Sequence, residues 1–202
     1  MLKPAVTYVV SAFDRPRALR CVLASLQLQT DENFEVIVAD NGRGIDNLNT
    51  VEQFDDDPRF IWHDTRNNSI PSWDCYWSAE KAVERYAKGE WLVFPSDDSY
   101  YVPVFQEAML SHARANDLQL VYCDMLYDRR FMGRYSVMPA RPSVGGIDKT
   151  SFMVRRDVWI GFPSKPQGPV PTSSCADGEM IETLVKRGVR HGRVEEVLVV
   201  HN

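Results

Sequence analysis

Glu90-Trp-Leu-Val-Phe-Pro-Ser-Asp-Asp-Ser-Tyr-Tyr-Val-Pro103 is the stretch whose reading decides the fold. Trp91 to Phe94 form a short continuous apolar run, the pattern of a parallel strand covered on both faces. Pro95, with no N–H to give, ends that ladder. Two adjacent carboxylates, Asp97 and Asp98, follow at once. In open α/β sheets ligands bind beyond the carboxyl ends of the strands, so this pair is expected at the mouth of a crevice. Hard oxygen ligands there suit Mg²⁺ or Mn²⁺ shared with a diphosphate. Ser-Asp-Asp-Ser is also ordinary turn and helix-cap chemistry, so the surrounding chain has to decide between the two.

Upstream, the alternation of strand and helix is regular. Val6 to Val10 is a β-branched and aromatic strand, Ser11 to Arg15 a turn, and Pro16 a helix start followed by Leu19, Val22, Leu23 and Leu26 on one face. Phe34 to Ala39 is a second strand, ending in Asp40-Asn-Gly42, so the first forty residues make a right-handed βαβ unit. A short helix over Asn47 to Phe54 and a strand at Phe60 to Trp62 come next. A helix follows with Ser72 as N-cap, Trp73, Tyr76, Trp77, Ala79, Ala82, Val83 and Tyr86 as its apolar face and Gly89 as C-cap. Beyond the Asp pair, a helix from about Pro103 to Ala115 leads to a strand at Leu118 to Cys123.

The remainder changes character. Tyr127 to Gly146, with Arg129, Arg130, Arg134 and Arg141, reads as a loop or an edge hairpin, and Ile147 to Arg155 as a strand. Gly161 to Ser174, rich in proline, is a long loop. Asp177 to Arg187 is a helix stopped by Gly188, and Val194 to Val200 a last strand with His201 at its tip. The expected architecture is α/β: one Rossmann-like domain over residues 1–202, a mostly parallel sheet flanked by helices.

Composition narrows the function. A net charge of −5 over 202 residues offers no basic stripe for nucleic acid. Cys21, Cys75, Cys123 and Cys175 lack metal or disulfide spacing and read as reduced thiols. There is no signal-peptide h-region and no 18-residue apolar run, so the chain reads as soluble and cytoplasmic, without a membrane span. Neither Gly-x-Gly-x-x-Gly nor the P-loop pattern occurs, which removes the main support for dinucleotide and P-loop readings.

Five segments stand in this order: Val-Val-Ser-Ala-Phe-Asp-Arg-Pro before a Leu-rich helix ending Gln-Thr, Val-Ala-Asp-Asn-Gly, Ala-Lys-Gly-Glu-Trp-Leu-Val-Phe-Pro-Ser-Asp-Asp-Ser-Tyr-Tyr-Val-Pro, Gly-Ile-Asp-Lys-Thr-Ser-Phe-Met-Val-Arg, and Ala-Asp-Gly-Glu with a terminal strand and His. Together they resemble the GT-A glycosyltransferases of family 2, and within them the spore-coat polysaccharide glycosyltransferase type, which implies 1–125 as the nucleotide-binding half and 126–202 as the acceptor-binding half of one GT-A domain.

The resemblance implies an inverting, metal-assisted transfer of a sugar from a nucleotide-diphosphate donor, UDP in the first place, to a saccharide or other hydroxyl acceptor. It implies that Asp40 accepts a base imide N–H, that Phe13 lies against the base, and that Ser11 and Asp14 touch the nucleotide. The same carry-over makes Asp98 the metal carboxylate, Asp97 its neighbour on the nucleotide-sugar side, and His201 a further ligand for Mn²⁺ or Mg²⁺. Ser96 stands where many members have another Asp, so fewer anionic ligands are present. Asp177 matches the general base, with Glu179 behind it, while Asp148 and Trp73 fall on the acceptor side.

Each residue also has a plainer reading. Asp40 suits a strand-end turn, Phe13 and Trp73 a core, Asp177 a helix N-cap, Asp148 a turn, and His201 a solvated chain end. Two rival functions stay open: a nucleotidyltransferase on the same fold, which would want a glycine-rich phosphate loop after strand one, and a non-catalytic sugar- or partner-binding relic, for which Ser96 is the hint.

Overall fold

A computed structural model describes residues 3–42, 45–65, 75–129, 134–163 and 176–201. The elements run β1 (Val6–Ala12), α1 (Pro16–Gln27), β2 (Phe34–Asp40), α2 (Asp46–Val51), β3 (Phe60–Asp64), α3 (Cys75–Tyr86), β4 (Trp91–Val93), β5 (Ser99–Tyr101), α4 (Phe105–Ala115), β6 (Leu120–Arg129), β7 (Arg134–Met138), β8 (Phe152–Arg155), α5 (Ala176–Lys186) and β9 (His191–His201). The strands form one sheet in the order β3-β2-β1-β4-β8-β6-β9-β5, and β7 pairs with β6 as an edge hairpin. β1, β2, β3 and β4 are parallel neighbours, and β6 and β9 pair in parallel; β5, β7 and β8 run the other way.

Both faces of the sheet are covered, which explains the unbroken apolar runs. Every residue of β1 and β2 is buried. Alternate side chains point to opposite faces. Tyr8 and Val10 join Leu19, Val22, Leu23 and Leu26 of α1 and Phe105 and Met109 of α4 in one core. Val9 instead joins Ala79 and Ala82 of α3 and Met180 and Leu184 of α5 in the other. Each of these leucines is fully buried, and truncating one to alanine costs about 2–5 kcal/mol.

The direction of β8 decides which residues reach the edge that carries the carboxylates. It is antiparallel to both β4 and β6, so its amino end arrives at the sheet edge where β1, β2 and β4 leave. Residues 148–151 are thereby delivered to the same edge as Asp97 and Asp98.

Four local expectations need correction. The strand read over Ile147 to Arg155 is only Phe152–Arg155, because Asp148 accepts from the Thr150 N–H (2.9 Å) and hydroxyl (2.7 Å) and winds Lys149–Ser151 into a 3₁₀ turn. Gly89 is not a helix cap: it donates to Thr7 Oγ1 at 2.9 Å, and a Cβ there would lie 2.5 Å from the Thr7 nitrogen, so it is glycine for close approach to β1. Pro95 interrupts the β1–β4 ladder without ending it; Ser11 N–H reaches the Pro95 carbonyl at 2.9 Å and the Asp97 N–H returns to the Ser11 carbonyl at 3.1 Å. Finally, Ser99–Tyr101 is a strand, antiparallel to the end of β9.

Candidate active site

Ser96 to Ser99 turn sharply, with the Ser99 N–H closing on the Ser96 carbonyl at 3.1 Å. Because the ladder resumes beside Ser11, this turn is fixed against the end of β1. Asp97 is fully buried and accepts the Phe13 N–H at 2.8 Å. Burial pushes the Asp97 carboxyl up to about 6; the Phe13 N–H and Arg15 oppose this, the adjacent Asp98 adds to it, and Lys149 opposes it. Arg15, half exposed at the start of α1, lays its guanidinium across both carboxylates, Nη2 on Asp97 and Nη1 on Asp98. Its role is invisible in a Phe-Asp-Arg-Pro tetrapeptide, since the partners lie more than eighty residues away.

Among the described residues, Asp98 Oδ1 is buried without a hydrogen-bond partner. Across from it stands His201 Nδ1, 3.8 Å away. That is too far for a hydrogen bond, yet two ligands of one ion can stand so far apart. The pairing of β5 with β9 sets this approach, Ser99 lying opposite His201, and the Ser99 hydroxyl sits 3.0 Å from the same nitrogen. Among the described residues no group of three His, Cys, Asp or Glu side chains is placed to hold a metal. Two protein ligands with the remainder from diphosphate and water is the usual arrangement for Mg²⁺ at phosphate sites, and the orphaned Asp98 oxygen fits it.

The nucleotide-side residues lie along the neighbouring strand ends. Asp40, in register with Ala12, is fully buried and accepts from Gly42 N (2.9 Å), Asn47 Nδ2 (2.8 Å) and Trp62 Nε1 (3.2 Å). Oδ1 thus takes two donors and Oδ2 one, so Oδ2 keeps an acceptor site for a base N–H. A Cβ at Gly42 would stand 2.8 Å from Asp14 Oδ1 and 2.9 Å from Asp40 Oδ1, so glycine lets the two strand ends meet. Asp14 is exposed, with a positive φ of 46°. Phe13 is half-buried, and with Ser11, Ala12, Arg15, Asn41, Cys75, Ser78 and Ser96 it lines a cavity of about 160 Å³. A wider space of about 770 Å³ opens at the opposite sheet edge, beside Lys3, Phe34, Arg59 and Lys88. Glu35 there is bound to Thr7 and to the Lys88 and Gly89 N–H groups, and serves the fold.

The third component comes from the turn before β8 and the start of α5. Asp177 is buried, accepting the Lys149 N–H at 2.9 Å on Oδ2 and the Gly178 N–H at 2.8 Å on Oδ1. Burial pushes its carboxyl up to about 6, Asp148 adds to that, and the Gly178 and Lys149 N–H groups and the Lys149 charge oppose it. Lys149 itself is buried, with Nζ donating to Ser11 Oγ at 3.2 Å. Asp97 and Asp177 are thus linked through one lysine and one serine, although 80 positions part them in the chain.

Other expected residues are placed less centrally. Asp148 caps the turn through one oxygen. Glu179 is exposed, roughly 200° around α5 from Asp177, so it does not stand beside Asp177 as a second base. Trp73, Arg130, the Ser72 cap and most of the 161–174 loop lie outside the described residues, as do the side chains of Arg129 and Arg134. Arg15, Lys149 and Trp62 are the site residues that sequence reasoning missed; a lysine one turn ahead of the apolar run Phe152 to Val154 was the available signal for Lys149.

Known proteins share this fold. Residues 7–162 match the model of glycosyl transferase family 2. EpsH of Bacillus subtilis (strain 168), classed as a glycosyltransferase, is 28% identical over 125 residues, which are 61% of this chain and 34% of EpsH. The crystal structure of S. aureus TarS 1-349 superposes with a TM-score of 0.73 at 15% identity, covering 98% of this chain and 60% of that one; its complex with UDP gives 0.74 at 15%, covering 96% and 59%. Mannosyltransferase PcManGT from Pyrobaculum calidifontis, in complex with GDP-Man and Mn²⁺, gives 0.73 at 15%, covering 99% and 57%. The chain therefore spans about a third of the curated relative and under two thirds of the solved ones. The solved structures establish the GT-A fold. No helix among the described residues is long and apolar enough to cross a membrane.

Proposed function

We propose, from the premise that this chain belongs to glycosyl transferase family 2, that it transfers a sugar from a nucleotide-diphosphate donor to an acceptor hydroxyl with inversion. The observation that carries the proposal is the meeting at one sheet edge of two acidic centres of different kinds. Asp97 and Asp98, bridged by Arg15 and with His201 opposite, form a polar cluster that would take the cation and the diphosphate. Asp177 is a separate carboxylate, held by two N–H groups and uncompensated enough that burial raises it to about 6. A base poised just below neutrality is ionised at pH 7 and still able to take a proton.

In this reading the nucleotide lies over the ends of β1 and β2, near Ser11, Phe13, Asp14 and Asp40, with Asp97 toward the nucleotide sugar and UDP the favoured nucleotide. Asp98 and His201 would hold Mn²⁺ or Mg²⁺, which when bound neutralises charge on the diphosphate leaving group. The acceptor oxygen attacks the anomeric carbon from the face opposite the diphosphate; the carbon–oxygen bond to the diphosphate breaks, and its electron pair leaves with the nucleoside diphosphate. Asp177 takes the hydroxyl proton as the new bond forms, then loses it to water. Residues 1–125 supply the donor side and 126–202 the acceptor side in one GT-A domain.

Calorimetry of UDP with and without Mn²⁺ tests the donor half: Mn²⁺ should tighten UDP binding, and equal affinities would remove Asp98 and His201 as ligands. Asp177→Asn tests the other half. It should retain UDP binding while turnover falls by about 10²–10⁴-fold; turnover near that of the unaltered chain would remove Asp177 as base.

A further inference from the structure

We propose that Lys149 is a positioning residue for Asp177, its main-chain N–H aiming the carboxylate and its buried ammonium, anchored by Ser11, holding that carboxylate in the ionised form. The inference rests on the reading of Asp177 as base only for its functional meaning; the physical claim concerns the protonation of one side chain.

Lysine is among the residues least often buried unless paired, and Lys149 is only 6% exposed. Its ammonium has one hydrogen bond among the described residues, to Ser11 Oγ at 3.2 Å. The Ser11 hydroxyl donates its own proton to the Cys75 carbonyl at 3.1 Å, so it turns a lone pair to the ammonium. The main chain at Lys149 is equally fixed. Asp148 ties down Thr150 by two hydrogen bonds, and the Ser151 N–H and hydroxyl both reach the Asp148 carbonyl at 3.0 Å. The Lys149 N–H of this rigid turn meets Asp177 Oδ2 at 2.9 Å. One residue thus binds the acceptor-side carboxylate through its backbone and the end of the donor strand through its side chain.

The charges around Asp177 show why an ammonium stands there. The turn before β8 brings Asp148 and Lys149, and its own helix brings the Gly178 N–H; the Ser11 hydroxyl of β1 meets the Lys149 ammonium. Asp148 and burial favour the protonated acid, and Lys149 is the cation that opposes them. Asp97, on the other side, is drawn down by the same lysine and by Arg15. Arg15 is engaged by the Asp97–Asp98 pair, whereas Lys149 acts on Asp177 as well as on Asp97. Ser11, near the end of the first strand, gains a second task here: it fixes the height of the ammonium between the two halves of the site.

The test reads Asp177 directly. The protein labelled with ¹³C at aspartate carboxyls is titrated by NMR, the Asp177 resonance being assigned by its loss in Asp177→Asn. Lys149→Met, similar in length and neutral, should move the Asp177 midpoint upward by about one pH unit, and Lys149→Arg should restore most of it; an unchanged midpoint in Lys149→Met overturns the proposal. In turnover assays the acid limb should move with the NMR midpoint, so that Lys149→Met loses about fivefold more rate at pH 6 than at pH 8. A shifted midpoint with an unshifted acid limb supports the role of Lys149 and overturns Asp177 as base, so the two ideas fail separately. Should Lys149→Met not fold, Ser11→Ala carries the test: the released ammonium should let the Asp177 midpoint rise, and a midpoint equal to that of the unaltered chain overturns the anchoring.

Discussion

Asp177 should make the protein less stable as the pH rises, and the size of the effect comes from its surroundings. Its carboxyl, buried beside Asp148, titrates at about 6 in the fold against an ordinary 3.8. The unfolded chain therefore gives up this proton before the native one does. Stability contributed by the protonated acid is fully present below 3.8, falls as pH rises, and is lost once pH passes about 6. A gap of about two pH units amounts to about 3 kcal/mol in all, of which about 1.4 kcal/mol falls between pH 5 and 7.5. Asp97 adds a similar slope, being raised to about 6 as well, so the unaltered chain alone does not isolate Asp177. The difference between it and Asp177→Asn does, because asparagine carries no proton to lose. Urea unfolding of both proteins at intervals from pH 5 to 7.5 should show the variant gaining about 1.4 kcal/mol on the unaltered chain across that range, whatever constant offset arises from altered contacts to Lys149 and Gly178. Parallel stability curves would refute the reasoning, since they would mean that Asp177 ionises as easily in the fold as in water.

Two further outcomes are expected. Gly89→Ala should destabilise the protein by about 1–3 kcal/mol, because the new Cβ would meet the Thr7 nitrogen at 2.5 Å and the Val6 carbonyl carbon at 2.7 Å, both backbone atoms that cannot swing away; a urea midpoint within error of the unaltered chain would contradict this. Arg15→Ala should raise Mn²⁺ affinity in the absence of nucleotide by up to about fivefold, the equivalent of a half-exposed ion pair worth up to about 1 kcal/mol, since the guanidinium now lies on Asp98 Oδ2. Weaker Mn²⁺ binding in that variant, followed by the metal-induced rise in Tm, would count against competition between arginine and metal.

The amino-acid sequence by itself determined the parallel strands of the first half, the helices between them and the edge at which chemistry gathers. Val6 to Val10, Phe34 to Ala39 and Trp91 to Phe94 announce buried parallel strands because each is covered on both faces and needs no alternation. Once they are parallel, Asp40, Asp97 and Asp98 must emerge on one side. The edge hairpin of β6 and β7, left open between loop and strand, was settled by pairing that spans Met125 to Met138. Periodicity was silent where a side chain or a close approach overrides it: the Asp148 cap that shortens β8, and the glycine at position 89 that answers to β1 and not to its helix.

Only the tertiary structure decided which partners the charges have. Arg15 reaches Asp98 across 83 positions, Trp62 reaches Asp40 across 22, and Lys149 reaches Ser11 across 138. No local pattern records such pairs, because a buried charge is stabilised by whatever the folded chain brings within about 3 Å, and that neighbour is chosen by the sheet order. The reversed strand β8 is the physical reason that Lys149 and Asp177 stand beside the end of β1: a strand entering from the opposite direction delivers its beginning where its neighbours deliver their ends.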